Sequence, residues 1–109
     1  MCGIAGIYAY HDAARPAERA ELLAIRDHMG ARGPDGAGEW WNADCRLAFA
    51  HRRLAIIDLS ELGAQPMASR DGRYHITFNG EIYNHPELRR ELEADGVVYA
   101  SGSDTETLL

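Results

Sequence analysis

A strand begins at the second residue of this chain, and that constrains the fold more than any other feature. Gly3-Ile4-Ala5-Gly6-Ile7-Tyr8-Ala9-Tyr10 is apolar and small, with Ile and Tyr at intervals. Two glycines inside the run suit a buried strand better than a helix. With 109 residues, 46% of them hydrophobic, the chain is long enough for one domain with a core and too short for two.

Pro16 opens a helical stripe of Leu22, Leu23, Ile25 and Met29, closed by Gly30 and followed by the tight loop Arg32-Gly33-Pro34-Asp35-Gly36. Trp40-Trp41 and Leu47-Ala48-Phe49-Ala50 read as hairpin strands joined by a turn at 42–44, the second running on through His51 to Asp58. Residues 59–72 are rich in turn formers, and Tyr74 to Phe78 alternates as a strand that stops at Asn79-Gly80. Asn84 with Glu87 predicts a capping box and a short helix whose inner face is Leu88 and Leu92. Val97 to Tyr99 reads as a brief strand, and Ser103 with Glu106 as a second capping box. The expected class is α+β, and the chain is expected to be a fragment, since a helix begins about where it stops.

The charge pattern excludes several functions. The net charge of −6, with no basic run among aromatics, argues against nucleic acid and anionic membranes. All eleven basic residues are Arg, so there is no Lys for a Schiff base or a Walker loop. No apolar stretch approaches the roughly 20 residues of a membrane helix, and the start lacks a basic leader, so a cytoplasmic location is expected. Cys2 and Cys45 are expected to be thiols, with Cys45 in packing. The five histidines lack the spacing of a zinc site, so no metal is expected. The tryptophans and tyrosines suit strand and core positions.

Removal of Met1 would give Cys2 a free α-amino group. An amine of pKa about 7.7–8.0 beside a thiol of about 8.5 can take the thiol proton near neutral pH, so nucleophile and base would share one residue. By position alone, a small buried Cys is the competing reading. Asn79-Gly80 likewise reads alone as a type I′ hairpin turn.

The opening Met1-Cys2-Gly3-Ile4-Ala5-Gly6, the loop Arg32 to Gly36, the run His51 to Asp58, the block Asn79-Gly80-Glu81-Ile82-Tyr83-Asn84 and Ser101-Gly102-Ser103-Asp104 come in a telling order. In that order they resemble the class II glutamine amidotransferase domain, and more narrowly the amino-terminal part of the glutamine-hydrolysing asparagine synthetases. The resemblance implies an N-terminal-nucleophile hydrolase sandwich, with helices flanking two antiparallel sheets, of which residues 1–109 would be the amino-terminal portion.

The same resemblance implies that Cys2 attacks the side-chain amide of glutamine and forms a thioester, with its own amine as base. Asn79 and the Gly80 N–H would hold the oxyanion. Arg53 would take the glutamine carboxylate, Glu81 and Asp104 its ammonium, and the main chain at Ile56 and Ile57 would line the pocket. Arg52 is expected to point away as a surface charge, and the Arg32 to Asp35 loop to give support.

No cofactor is implied for this step. ATP, Mg²⁺ and aspartate would belong to a synthetase domain beyond these residues, and a homodimer is left open. Two alternatives stand beside this reading: an amidotransferase with another carboxylate, a sugar phosphate or a phosphoribosyl group as acceptor, or a non-catalytic glutamine-binding module.

Overall fold

A computed structural model describes residues 1–109. Its elements are β1 (Gly3–Tyr8), α1 (Arg19–His28), β2 (Gly36–Trp41), β3 (Leu47–Arg53), β4 (Met67–Ala68), β5 (His75–Ile76) and α2 (His85–Ala94). Short 3₁₀ turns occupy Gly30–Arg32, Glu61–Gly63 and Asp104–Leu108. The fold is α+β, with one antiparallel sheet in the order β1-β3-β2 and a second formed by β4 and β5.

The register of the larger sheet sorts its side chains. Gly3 lies opposite Arg52, Ala5 opposite Ala50 and Ile7 opposite Ala48, with Trp41 also paired to Ala48. Strand alternation therefore puts Ala5, Ile7, Ala48, Ala50 and Trp41 on one face. Leu22 of α1 is fully buried against that face, and this is the core. Alanines on the central strand let the helix approach closely, which is why so small a set of side chains can close the layer.

The opposite face carries Ile4, Gly6, Phe49, His51 and Arg53, and the second sheet leans against its β2 side. Trp40 stacks on His75 with ring centroids 4.1 Å apart. A Cβ on Gly38 would overlap the Gln65 carbonyl, so only glycine admits this approach. Ile4 and Tyr8, farther across the sheet, remain exposed. Arg46 ties the loop after β1 to the hairpin by donating to the carbonyls of Ala9 and His11, each at 2.6 Å.

Several expected elements differ from those observed. The helix starts at Arg19 rather than at Pro16, with Glu18 as an N-cap whose side chain makes no cap bond and instead accepts from Arg15. β3 ends at Arg53 instead of running to Asp58, because the Leu54 to Ile57 stretch turns out of the sheet and exposes Ile56. The strand expected over Tyr74 to Phe78 pairs only at His75 and Ile76, and its partner Met67–Ala68 lies in what reads as loop.

The Asn84 capping box is not made, since Asn84, at φ −95° and ψ 19°, lies outside the extended backbone region an N-cap takes and makes no side-chain cap bond. Val97 to Tyr99 has no ladder partner and is not a strand. At the second box, Ser103 caps a 3₁₀ turn by accepting from Thr105 N–H, while Glu106 reaches farther back, to the N–H groups of Ala100 and Ser101. Cys45 is exposed and takes a left-handed turn position with φ 56°, so it is not a packing residue. Tyr8, Tyr10, Tyr74 and Tyr83 are also exposed rather than core.

Candidate active site

One cavity of about 280 Å³ opens where β1 begins, β3 ends and the loops 54–58, 78–83 and 103–105 converge. Its lining includes Cys2, Arg53, Ile56, Ile57, Asn79, Gly80, Glu81 and Asp104. The structure therefore brings together every site residue chosen from the sequence.

Cys2 stands at the rim because the β1–β3 register places Gly3 opposite Arg52 and so carries Cys2 toward Arg53. Its half-buried sulfur accepts from Leu54 N–H at 3.3 Å and lies 3.6 Å from the Leu54 carbonyl, to which the thiol donates. The Cys2 carbonyl accepts from Arg32 Nε at 3.2 Å. The loop after α1 thus supports the chain end, and Asp35 adds to this by accepting from Ala55 N–H at 2.9 Å. Gly33 is required there, since a Cβ would overlap the Arg52 main chain.

Alternation along β3 sends Arg53 into the cavity and Arg52 to the helix face. Arg52 is not the expected surface charge. Its side chain is 21% exposed and lies 3.9 Å from Asp27, against Gly30. Arg53 donates to the carbonyls of Ser60, at 2.8 Å, and of Asp58. Two of its five N–H groups are thereby held, which orients the planar guanidinium and leaves donors for a ligand.

Asn79 and Gly80 lie past the end of β5, with a bend at Gly80. Neither has a positive φ, so the type I′ turn is excluded. Phe78 packs beside Gly80 closely enough that a Cβ would strike its ring. Asp104 is 5% exposed and accepts from Ile82 N–H at 2.8 Å, so the carboxylate is fixed next to Glu81. The resulting site gathers the Cys2 thiol, the Asn79 amide, the Arg53 guanidinium and the carboxylates of Asp58, Glu81 and Asp104 around one cavity. That composition suits a small zwitterion carrying an amide or acyl group.

Sequence reasoning missed four contributors. Asp58 accepts from Ser60 Oγ at 2.6 Å, Ser60 N–H at 2.7 Å and Gly102 N–H at 2.8 Å, so it ties two cavity loops together. The Ser60 hydroxyl and amide, helped by Gly102 N–H and nearby Arg53, hold its carboxyl below the usual range against the opposing effect of desolvation.

His51 is only 1% exposed, and neither ring nitrogen has a hydrogen-bond partner. Burial pushes its pKa down, with Arg53 adding to the effect, while the nearby Phe78 main chain opposes it without completing a bond. Gln65 and Thr105 also line the cavity. Their contacts join residues far apart in sequence, and no local pattern marks them.

The glutamine-hydrolysing asparagine synthetase 1 of Bacillus subtilis is 46% identical to this chain over 110 residues, covering 100% of the chain and 17% of the relative. The glutamine-hydrolysing asparagine synthetase of Sandersonia aurantiaca is 42% identical over 108 residues, covering 99% of the chain and 19% of the relative. A third such synthetase, number 3 of B. subtilis, is 39% identical over 111 residues, covering 100% of the chain and 17% of the relative. The chain therefore spans under a fifth of the length of these relatives. The glutamine amidotransferase domain model matches residues 1–109, and the chain belongs to that family.

Proposed function

We propose that this chain hydrolyses the side-chain amide of glutamine, with Cys2 as an N-terminal nucleophile exposed by removal of Met1. The observation that carries the reading is the convergence on one cavity of Cys2, Asn79, Gly80, Arg53, Glu81 and Asp104. The Cys2 amine takes the thiol proton and the sulfur attacks the amide carbon. Asn79 Nδ2 and Gly80 N–H stabilise the oxyanion. The same amine then protonates the leaving nitrogen, and ammonia departs from a γ-glutamyl thioester. Water, deprotonated by the amine, cleaves the thioester to glutamate and restores the thiol.

Arg53 binds the glutamine carboxylate while Glu81 and Asp104 bind its ammonium, and the main chain at Ile56 and Ile57 closes the side. On this reading the two antiparallel sheets are facing layers of an N-terminal-nucleophile hydrolase sandwich, which the close approach at Gly38 supports. Residues 1–109 are then the amino-terminal part of the glutaminase domain of an asparagine synthetase, and the ammonia serves ATP-dependent amidation of aspartate in another domain. Mg²⁺ finds no fitting donor set here, since no three His, Cys, Asp or Glu side chains gather around a common point, and no step above runs through it or through ATP.

The test is ammonia release from glutamine by the full-length protein. Wild-type protein releases ammonia, and Cys2→Ala lowers the rate at least about 10³-fold. A Cys2→Ala protein that keeps its rate overturns the role of Cys2. A folded wild-type protein that binds glutamine without releasing ammonia is a binding module instead.

A further inference from the structure

We propose that Gln65 is a positioning residue that sets the Asn79–Gly80 corner and Asp104 at a fixed separation across the cavity; the proposal rests on the glutaminase reading above. Its side-chain Oε1 accepts from Phe78 N–H at 2.6 Å, and its Nε2 donates to Thr105 Oγ1 at 3.1 Å. Phe78 immediately precedes Asn79, and Thr105 immediately follows Asp104. One amide therefore spans the two loops that carry the oxyanion donors and the anion for the ligand ammonium.

The orientation of the amide follows from chemistry. A main-chain N–H is only a donor, so the Gln65 atom facing Phe78 has to be the oxygen, and the nitrogen then faces the Thr105 hydroxyl. Both contacts are sheltered, with Thr105 only 2% exposed. Phe78 lies past the end of β5, where ladder pairing has stopped. Gln65 is itself braced from behind, since its carbonyl abuts Gly38 on the larger sheet. A rigid sheet, a glycine, an amide and two loops thus form one mechanical chain ending at the cavity.

The two arms act on different parts of the ligand. The Phe78 arm bears on Asn79, which meets the oxyanion formed only during reaction, and so on kcat. The Thr105 arm bears on Asp104, which meets the ammonium in the ground state as well, and so on KM.

The experiment is glutaminase kinetics in the full-length protein with Gln65→Met, Thr105→Val and Thr105→Ser, alongside glutamine binding by calorimetry in a Cys2→Ala background. We expect Gln65→Met to lower kcat about tenfold or more and Thr105→Val to raise KM about three- to tenfold at nearly constant kcat. Thr105→Ser, which keeps the hydroxyl, restores the wild-type values. Wild-type kcat and KM in folded Gln65→Met and Thr105→Val overturn the proposal. So does a loss that disappears once rates are normalised to the folded fraction, as expected of a merely structural role. If wild-type protein releases no ammonia although the Cys2→Ala protein binds glutamine, the hydrolytic reading fails alone, and unchanged glutamine affinity on adding Gln65→Met to Cys2→Ala then overturns the coupling. Absence of glutamine binding in the Cys2→Ala protein overturns both.

Discussion

The Leu54 main chain holds the Cys2 thiol from two sides, its N–H donating to Sγ at 3.3 Å and its carbonyl accepting from the thiol at 3.6 Å. Leu54 is the first residue after β3, the central strand that pairs with β1, so the start of β1 is pinned to the end of the central strand. A terminal residue would otherwise fray. Here the same strand that feeds Arg53 into the cavity also fixes the sulfur at its rim.

Asn79 offers the sharpest kinetic test of the oxyanion assignment. Asn79→Ala removes the donor and leaves the Gly80 N–H. We expect kcat for ammonia release to fall about 10²–10³-fold with little change in KM, read from steady-state kinetics. A KM effect without a kcat effect assigns Asn79 to ground-state binding instead.

Arg53 donates to the carbonyls of Asp58 and Ser60 and is proposed to bind the glutamine carboxylate as well. Arg53→Lys keeps a charge but loses the planar fork. Losing a charge-assisted bond worth about 1.5–3 kcal/mol is expected to raise KM for glutamine roughly 10- to 100-fold. The loop carrying Asp58 and Ser60 is expected to become more accessible to protease. Unchanged KM contradicts the carboxylate assignment.

Gly38→Ala tests the packing of the second sheet on the first. The added methyl meets the Gln65 carbonyl, which is main chain and has no side-chain torsion to relieve it. Overpacking of this kind costs about 1–3 kcal/mol, read as a lower urea midpoint. An unchanged midpoint contradicts the observed approach.

Stability is expected to fall in two stages as pH drops. His51 is buried with its pKa below the unfolded value, so the unfolded chain binds its proton first. Its contribution is complete well above the unfolded pKa of about 6.5 and is lost progressively below it. Asp58 has a carboxyl held below its unfolded value of about 3.9, so the stability it supplies is present above that pH and is lost as pH falls through the lower folded value. Thermal melting between pH 8 and 3 checks both stages. His51→Leu is expected to flatten the upper one, and persistence of that limb in the variant contradicts the assignment.

The site was more legible in the sequence than the elements that carry it. Cys2, Arg53, Asn79, Glu81 and Asp104 sit in compact motifs, and all face one cavity. The strand expected to reach Asp58 stops at Arg53 because an apolar run reads alike whether it continues a sheet or lines a cavity, and Ile56 and Ile57 belong to the second kind. Asn84 has the right spacing for a capping box, but its backbone, at φ −95° and ψ 19°, is not in the extended region an N-cap takes. Gln65 and Asp58 were illegible for a different reason. Gln65 bonds residues 13 and 40 positions away and Asp58 one 44 positions away, and local sequence patterns carry no trace of such pairings.

The central claim is that Cys2 is the nucleophile and the first residue of the mature chain. The most direct measurement is mass spectrometry of the full-length protein after reaction with a γ-electrophilic glutamine analogue, in a Cys45→Ser background that removes the exposed thiol. A single adduct is expected on a peptide beginning at Cys2, and it is expected to be lost when glutamine is in excess. A retained Met1 with an unmodified Cys2 in folded protein would contradict the claim.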